Sequence, residues 1–496
     1  VEPTATNPNR WIALYVLCAG VLMIVLDITI VNVALPSIQD DLGFSQSNLA
    51  WVVNAYLIPF GGLLLLAGRF GDLIGQRRIF LSGLAVFVSA SLLCALSQSQ
   101  EMLIGARFIQ GIGGALTSAV VLGMIVTMFP GPADQAKAIG VYGFVASAGG
   151  SIGLLAGGVL TEAISWHWIF FINLPVGIAT AVLTRRLVEP HEGIGIGEGA
   201  DVPGALLITG ALMLGTYNIL EVTEVGWGAT QTMVLGSISL ALAVAFIYRQ
   251  ARIANPLMPL RLFRSRNVSG ANAAQALLVA GMFSMFFLGA LYLQEILGYD
   301  ALGVGLAFLP ATLVMGTLSL GFSEKLIMRF GPRRTLLPGL VLIGVGLLLF
   351  ARTPVDGNYA TDVLPPMVLV GVGIGTSFPS LMTLAMSGAT PQDSGLASGL
   401  VNTTAQVGGA IGLAVLATLA TERTDSLSGS VSHDAALNSG FHLAYLIGAA
   451  LVGLAFVIAV VVMREAPMPA AEPAMGEQGA TASPEASEAE PAYSES

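Results

Sequence analysis

Stretches of about 20 residues with almost no charge recur along nearly the whole chain, and no other feature limits its fold as tightly. They lie near 11–36, 47–67, 78–97, 101–127, 137–160, 167–187, 203–221, 229–250, 268–294, 303–324, 334–352, 364–388, 396–420 and 438–463. Each is long enough to cross the hydrocarbon layer of a bilayer as an α-helix. A membrane β-barrel would show shorter segments of alternating hydrophobicity. Composition agrees, since 55% of the 496 residues are hydrophobic and 10% are charged, against roughly 25% charged in a soluble domain. The expected fold is therefore an all-α membrane protein with fourteen transmembrane helices. The first stretch is too long for a cleavable signal and lacks a small-residue cleavage site, so it counts as a span.

Basic residues give the orientation. With the amino terminus in the cytoplasm, 17 of the 20 Lys and Arg fall on the cytoplasmic side. Arg352 and Arg423 lie outside, and Arg107 lies within a span. Basic loops resist translocation, so both termini are expected in the cytoplasm. The longest cytoplasmic connections, 188–202 and 251–267, bracket two spans. The chain then divides into a cytoplasmic N-terminus (1–10), a six-helix bundle (11–187), a linker with two inserted helices (188–267), a second six-helix bundle (268–463) and an acidic cytoplasmic tail (464–496). From Glu465 onward the tail holds seven acids and no Lys or Arg, so the net charge of −10 falls to −3 without it. Its Ala, Glu, Pro and Ser suit a disordered, solvated segment. An internal repeat supports two matching halves: GRFGDLIGQRR follows the second span and SEKLIMRFGPRR follows the tenth. Repeated halves with a substrate path between them are a transporter signature.

Few residues in the spans can carry chemistry. Asp27 sits deep in the first span, where a carboxylate is costly and faces a cavity or a partner. Arg107 lies in the fourth span at a depth within roughly 4–5 Å of Asp27, so neighbouring helices would let the two meet directly or through water. Gln110 is one turn along the same face. These three form a candidate proton-coupling group. Gly68, Arg69, Gly71, Asp72, Gly75, Arg77 and Arg78 form a candidate cytoplasmic gate. The glycines permit a tight turn, and Asp72 can meet a basic residue or a helix N-terminus. In the fifth span, Gly140 and Gly143, and beyond them Gly149, Gly150, Gly153, Gly157 and Gly158, make a bare stripe for close packing or bending. Trp51, Asn54, Tyr56, Met282, Phe286, Tyr292 and Gln294 are candidates for lining a substrate cavity.

Cys18 and Cys94 fall in different spans and read as small apolar residues. The four histidines show no metal spacing, and there is no phosphate-binding loop or nucleophile–base pair. Neither a metal, a cofactor, nucleic-acid binding nor an enzymatic activity is expected.

Several strings resemble signatures of the major facilitator superfamily, in particular its fourteen-helix drug:proton antiporter family of the EmrB/QacA type. GRFGDLIGQRR is similar to the cytoplasmic motif of the superfamily. LDITIVNVALPSI resembles the first-span string whose Asp, here Asp27, serves in proton coupling. RFIQGIGGA resembles the fourth-helix motif whose Arg, here Arg107, is implicated in proton transfer. WHWIFFINLPVGI, NPLMPLRLFRSRN and LYLQEILGYDALGVGLAFLP also resemble strings of this branch. Two positions depart from it. Leu154 follows Gly153 where the family has Pro, and His167 stands where it generally has Arg. The resemblance covers about residues 10–464. It implies two six-helix bundles around a central cavity, in a bacterial plasma membrane. It also implies proton-driven efflux of amphipathic, often cationic compounds by alternating access. The competing expectation keeps the fold and changes the cargo to a lipid, a metabolite or a self-made antibiotic; a uniporter, channel or non-transporting receptor is the remaining alternative.

Overall fold

The computed structural model describes residues 9–44, 49, 51–190, 193, 195, 201–253, 256, 258, 260–387 and 394–465. The tail beyond 465, His191 and the side chain of Leu154 lie outside the described residues. The described residues are helical throughout, without a β-strand. In chain order the long helices are α1 (Arg10–Leu42), α2 (Trp51–Ile74), α3 (Gln76–Ala95), α4 (Gln100–Met128), α5 (Pro132–Ala163), α6 (Trp168–Leu187), α7 (Val202–Val225) and α8 (Thr230–Arg252). They continue with α9 (Arg266–Ile296), α10 (Gly303–Phe330), α11 (Pro332–Phe350), α12 (Tyr359–Met386), α13 (Ser394–Leu427) and α14 (His433–Val461). Thirteen helices among the described residues are long and apolar enough to cross a membrane. The remaining long helix, α5, has 32 residues and corresponds to the fifth expected span.

Several helices outrun the apolar stretches that announce them. α13 extends to Leu427 through Thr421, Glu422, Arg423 and Asp425, because a helix satisfies its own backbone whether or not its side chains leave the hydrocarbon. α9, α10 and α12 each contain a π-turn, at Ser284–Leu288 and Tyr292–Ile296, Leu318–Phe322, and Tyr359–Val363 respectively.

The packing neighbours repeat between halves. α1 packs on α5 and α6, as α9 packs on α13 and α14; α4 joins α2 and α3, as α12 joins α10 and α11. The halves meet where α13 crosses α2 and α4, and where α5 crosses α10 and α12. The loops after α2 and α10 turn at Gly75 (φ 109°) and Gly331 (φ 86°), positive values that only glycine adopts freely. Basic residues gather at one end. Arg10 pairs with Asp134 (2.5 Å), Arg77 donates to the Arg185 carbonyl (2.8 Å), and Arg333 donates to the Ala459 carbonyl (2.9 Å). We call this the basic end. Ile12, Leu206, Leu313, Val159 and Val461 are exposed hydrophobic side chains, as helices facing lipid require.

The pair α7–α8 lies at the seam between the halves. A cluster of Leu65 (α2), Ile208 (α7), Phe246 (α8), Met258, Leu262 and Leu396 (α13) is buried there. Higher up, Trp51 of α2 stacks on Tyr217 of α7 at 5.9 Å.

Candidate functional site

α1, α3, α4 and α6 bring a single polar knot into an apolar bundle. Asp27 and Arg107 are 1% and 0% exposed, and Arg107 Nη1 donates to Asp27 Oδ2 at 2.5 Å. The contact is direct. The same Nη1 donates to Gln110 Oε1 at 2.7 Å, and Arg107 Nε donates to the Val52 carbonyl at 2.9 Å. Gln110 Nε2 donates to Asp27 Oδ1 and to Ser91 Oγ, both at 2.7 Å. Asn173 Nδ2 donates to Asp27 Oδ1 at 3.0 Å and reaches Ser91 Oγ at 3.3 Å. The Cys94 thiol donates weakly to Gln110 Oε1 at 3.6 Å. Arg107 Nη2 has no hydrogen-bond partner among the described residues. Its guanidinium lies over the Tyr56 ring at 4.4 Å, a geometry in which the π-face offsets part of the lost solvation.

Apolar layers close the knot on two sides. Ile30, Val31, Ala34, Val52, Leu103, Ala106, Trp166, Ile169 and Phe170 belong to one buried cluster. Val21, Ile24, Tyr56, Phe60, Phe87 and Ala115 belong to another. A charge pair held this way is costly to dehydrate and survives because each charged group is also hydrogen-bonded.

The glycine stripe of α5 lies along the same stretch of α1. A Cβ on Gly149 would strike Val25, one on Gly153 would strike Thr29 Oγ1 and the Leu26 carbonyl, and one on Gly157 would meet the Ile30 carbonyl. Gly150 has only a Thr29 methyl near it and Gly158 faces open space. Toward the basic end, Gly140 and Gly143 instead meet Ser319 of α10 and Phe378 of α12. One helix thus packs on α1 at one end and on the other half of the molecule at the other.

The second group sits at the basic end. Asp72, 7% exposed, accepts from the backbone N–H of Gly395 and of Leu396, each at 2.8 Å. These are first-turn amides of α13, so α2 supplies a cap to a helix of the other half. Gln76 Nε2 donates to Ser394 Oγ at 2.9 Å and lies 3.4 Å from Asp72 Oδ1. Gly68 makes room for this contact, and Gly71 for the approach of α4. A Cβ on Gly68 would meet the Gly395 carbonyl and Gly399, and one on Gly71 would meet Val120. Gly75 sets the turn, Arg77 anchors to α6, and Arg69 is near enough for its charge to act on Asp72. When the two repeat strings are aligned on their Gly-x-Arg-Arg ends, Met328 stands opposite Asp72. At that position α10 therefore brings no carboxylate to its crossing of α5. Tyr142 of α5 adds a further bond between halves, donating to Asn402 Oδ1 of α13 at 3.2 Å.

The expected cavity residues scatter. Tyr56 is fully buried beneath Arg107, Trp51 stacks on α7, and Asn54 is partly exposed on α2. Tyr292 is buried and donates to the Pro354 carbonyl at 2.6 Å. Phe286 stacks on Phe308 at 5.7 Å, Met282 is half-buried and Gln294 is exposed. His167 stacks on Trp166 at 3.7 Å, whose indole donates to Asp41 at 3.0 Å. Sequence reasoning missed Ser91, Asn173, Gln76 and Ser394. Asn173 carried a usable signal, an amide within an apolar span. Ser91 carried none, because serine is common in such helices.

The family model described as Major Facilitator Superfamily matches residues 17–413. The chain is 38% identical over 420 residues to the puromycin resistance protein pur8 of Streptomyces alboniger, covering 84% of this chain and 83% of that protein. It is 37% identical over 463 residues to the cephamycin export protein CmcT of Amycolatopsis lactamdurans, covering 93% of each. Among solved structures it is similar to the human organic anion transporter MFSD10 (TETRAN), with a TM-score of 0.64 at 14% identity over 91% of this chain and 100% of that one.

Proposed function

Given that the chain belongs to the Major Facilitator Superfamily, we propose that it is a drug:proton antiporter of the fourteen-helix type. It would export small amphipathic, antibiotic-like compounds across a bacterial plasma membrane. The observation that carries this reading is the buried Asp27–Arg107 pair. In this reading the basic end faces the cytoplasm, and Asp72 on the first turn of α13 holds that end shut. Rocking of the halves breaks the Asp72 contact and opens the cytoplasmic side. Asp27 is the group that exchanges a proton for cargo. A proton on Asp27 removes the charge that holds Arg107, so the knot must rearrange each time the proton binds or leaves. Cargo that is cationic competes for the same negative charge. The names of two relatives, each specifying one antibiotic, support a narrower second reading, in which the cargo is a single antibiotic made by the producing cell.

Proteoliposomes with an imposed proton gradient separate the two. Substrate-dependent proton movement with several chemically unrelated lipophilic cations and neutral drugs supports the broad reading. Movement with one compound class alone supports the narrow one. Uptake without any proton movement contradicts antiport.

A further inference from the structure

The two oxygens of Asp27 have different neighbours. Oδ2 receives Arg107 at 2.5 Å. Oδ1 receives two neutral amides, from Gln110 at 2.7 Å and Asn173 at 3.0 Å. Gln110 also binds Arg107, accepting through Oε1. Asn173 does not: it is the contribution of α6, and its other neighbour is Ser91 Oγ on α3 at 3.3 Å. All three side chains are buried.

An amide N–H donates and cannot accept, so this arrangement fits the carboxylate alone. A proton on Oδ1 would set O–H against N–H, and Asn173 would have to turn or withdraw. α6 is loosened at this point. Pro175 has no N–H to return to the Phe171 carbonyl, so α6 lacks one backbone bond beside Asn173, although Ile172 keeps helical dihedrals (φ −59°, ψ −26°). The titratable and charged groups facing Asp27 are few. Arg107 comes from α4, Tyr56 from α2 and Cys94 from α3, whereas α5 presents glycines.

We propose that Asn173, set by Ser91, is a positioning residue that holds Asp27 in its charged form and links protonation to the stretch of α6 where Pro175 removes a backbone bond. This rests on the reading of Asp27 as the proton-coupling group. Asn173→Leu keeps the size and removes the donor; Ser91→Ala removes, with little change in volume, the hydroxyl that both Asn173 and Gln110 reach. Losing a donor disfavours the carboxylate, so the proton is taken at lower proton concentration. The pH of half-maximal proton-coupled export in proteoliposomes is expected to rise by about one unit in Asn173→Leu, the size of one hydrogen bond to a charged group, and by less in Ser91→Ala. Thermal unfolding of the same variants reports packing separately. A wild-type pH profile in Asn173→Leu, whatever its melting temperature, overturns the proposal. Should Asn173→Leu not fold, an unshifted profile in Ser91→Ala does so. Asp27→Asn as a control tells the two claims apart. If it still exports with a proton-dependent profile, the coupling role of Asp27 fails; if it does not and the other two profiles stay unshifted, only the role of Asn173 fails.

Discussion

Arg107 has no exposed surface, and its guanidinium is shared among Asp27, Gln110, the Val52 carbonyl and the Tyr56 ring. Removing one member of a buried pair strands the other, which typically costs about 3–5 kcal/mol, whereas replacing both with neutral polar groups costs less. Arg107→Gln is therefore expected to lower the melting temperature in detergent more than the double change Asp27→Asn with Arg107→Gln. Equal losses would mean the pair is already uncoupled. This part of the site was legible in the sequence because a single acid and a single base stand out in apolar spans, and their depths along the helices match. The rest of the knot was not. Ser91 gains meaning only from helix neighbours, the amide of Asn173 stands out in its span without naming a partner, and α3 and α6 are distant in sequence from α1 until the bundle assembles. The roles of Tyr56 and Trp51 were equally hidden, since an aromatic in a span reads alike against lipid, a cavity or a guanidinium.

Among the elements, α13 begins on a carboxylate from α2. The two amides that Asp72 accepts carry the positive end of the helix dipole, and charge-assisted bonds of this kind contribute about 1.5–3 kcal/mol. Asp72→Asn keeps one acceptor and loses the charge. It is expected to favour opening of the basic end, seen as roughly tenfold faster maleimide labelling of Ser398→Cys, a position buried in α13. Cys18 and Cys94 are buried and give little background. Unchanged labelling would remove Asp72 from the latch. The gate string announced a tight turn and a carboxylate at a helix end, but not which helix would receive it. That choice depends on the approach of Gly68 to Gly395 and Gly399 across the two halves.

α7 starts on a different acid. Asp201, outside the spans, is buried, which by itself raises its pKa. Hydrogen bonds from Gln250 and Arg249, the Gly204 N–H and the charge of Arg249 outweigh that and hold it below its ordinary value. A carboxylate lowered on folding stabilises the protein fully above its unfolded pKa of about 3.9, and loses that contribution as pH falls through the lower folded value. The melting-temperature gap between the wild type and Asp201→Asn should be constant near neutral pH and shrink below about pH 4. A gap independent of pH down to 3 would show that the contacts do not depend on the charge.

Across the whole molecule, two polar devices sit on opposite sides of one packing scheme. The buried pair lies wholly within the first half, among α1, α3, α4 and α6. The Asp72 cap ties that half to the second through α13, and α5 runs from α1 to α10 and α12. The α7–α8 pair buries its core against both α2 and α13 at the seam. The recurrence of packing neighbours makes the two halves alike in architecture, yet Met328 stands where a second Asp72 would be, so the latch is one-sided. The fold and thirteen of the fourteen expected spans were readable because hydrocarbon thickness dictates helix length. The seam was not, because glycine-on-glycine approach leaves no pattern in either helix alone. Transport by this molecule turns on whether Asp27 converts a proton gradient into uphill movement of cargo. The direct measurement is export by Asp27→Asn in proteoliposomes, with and without a proton gradient. The expected result is preserved exchange of cargo down its own gradient with no uphill accumulation. Uphill accumulation at the wild-type rate would contradict it.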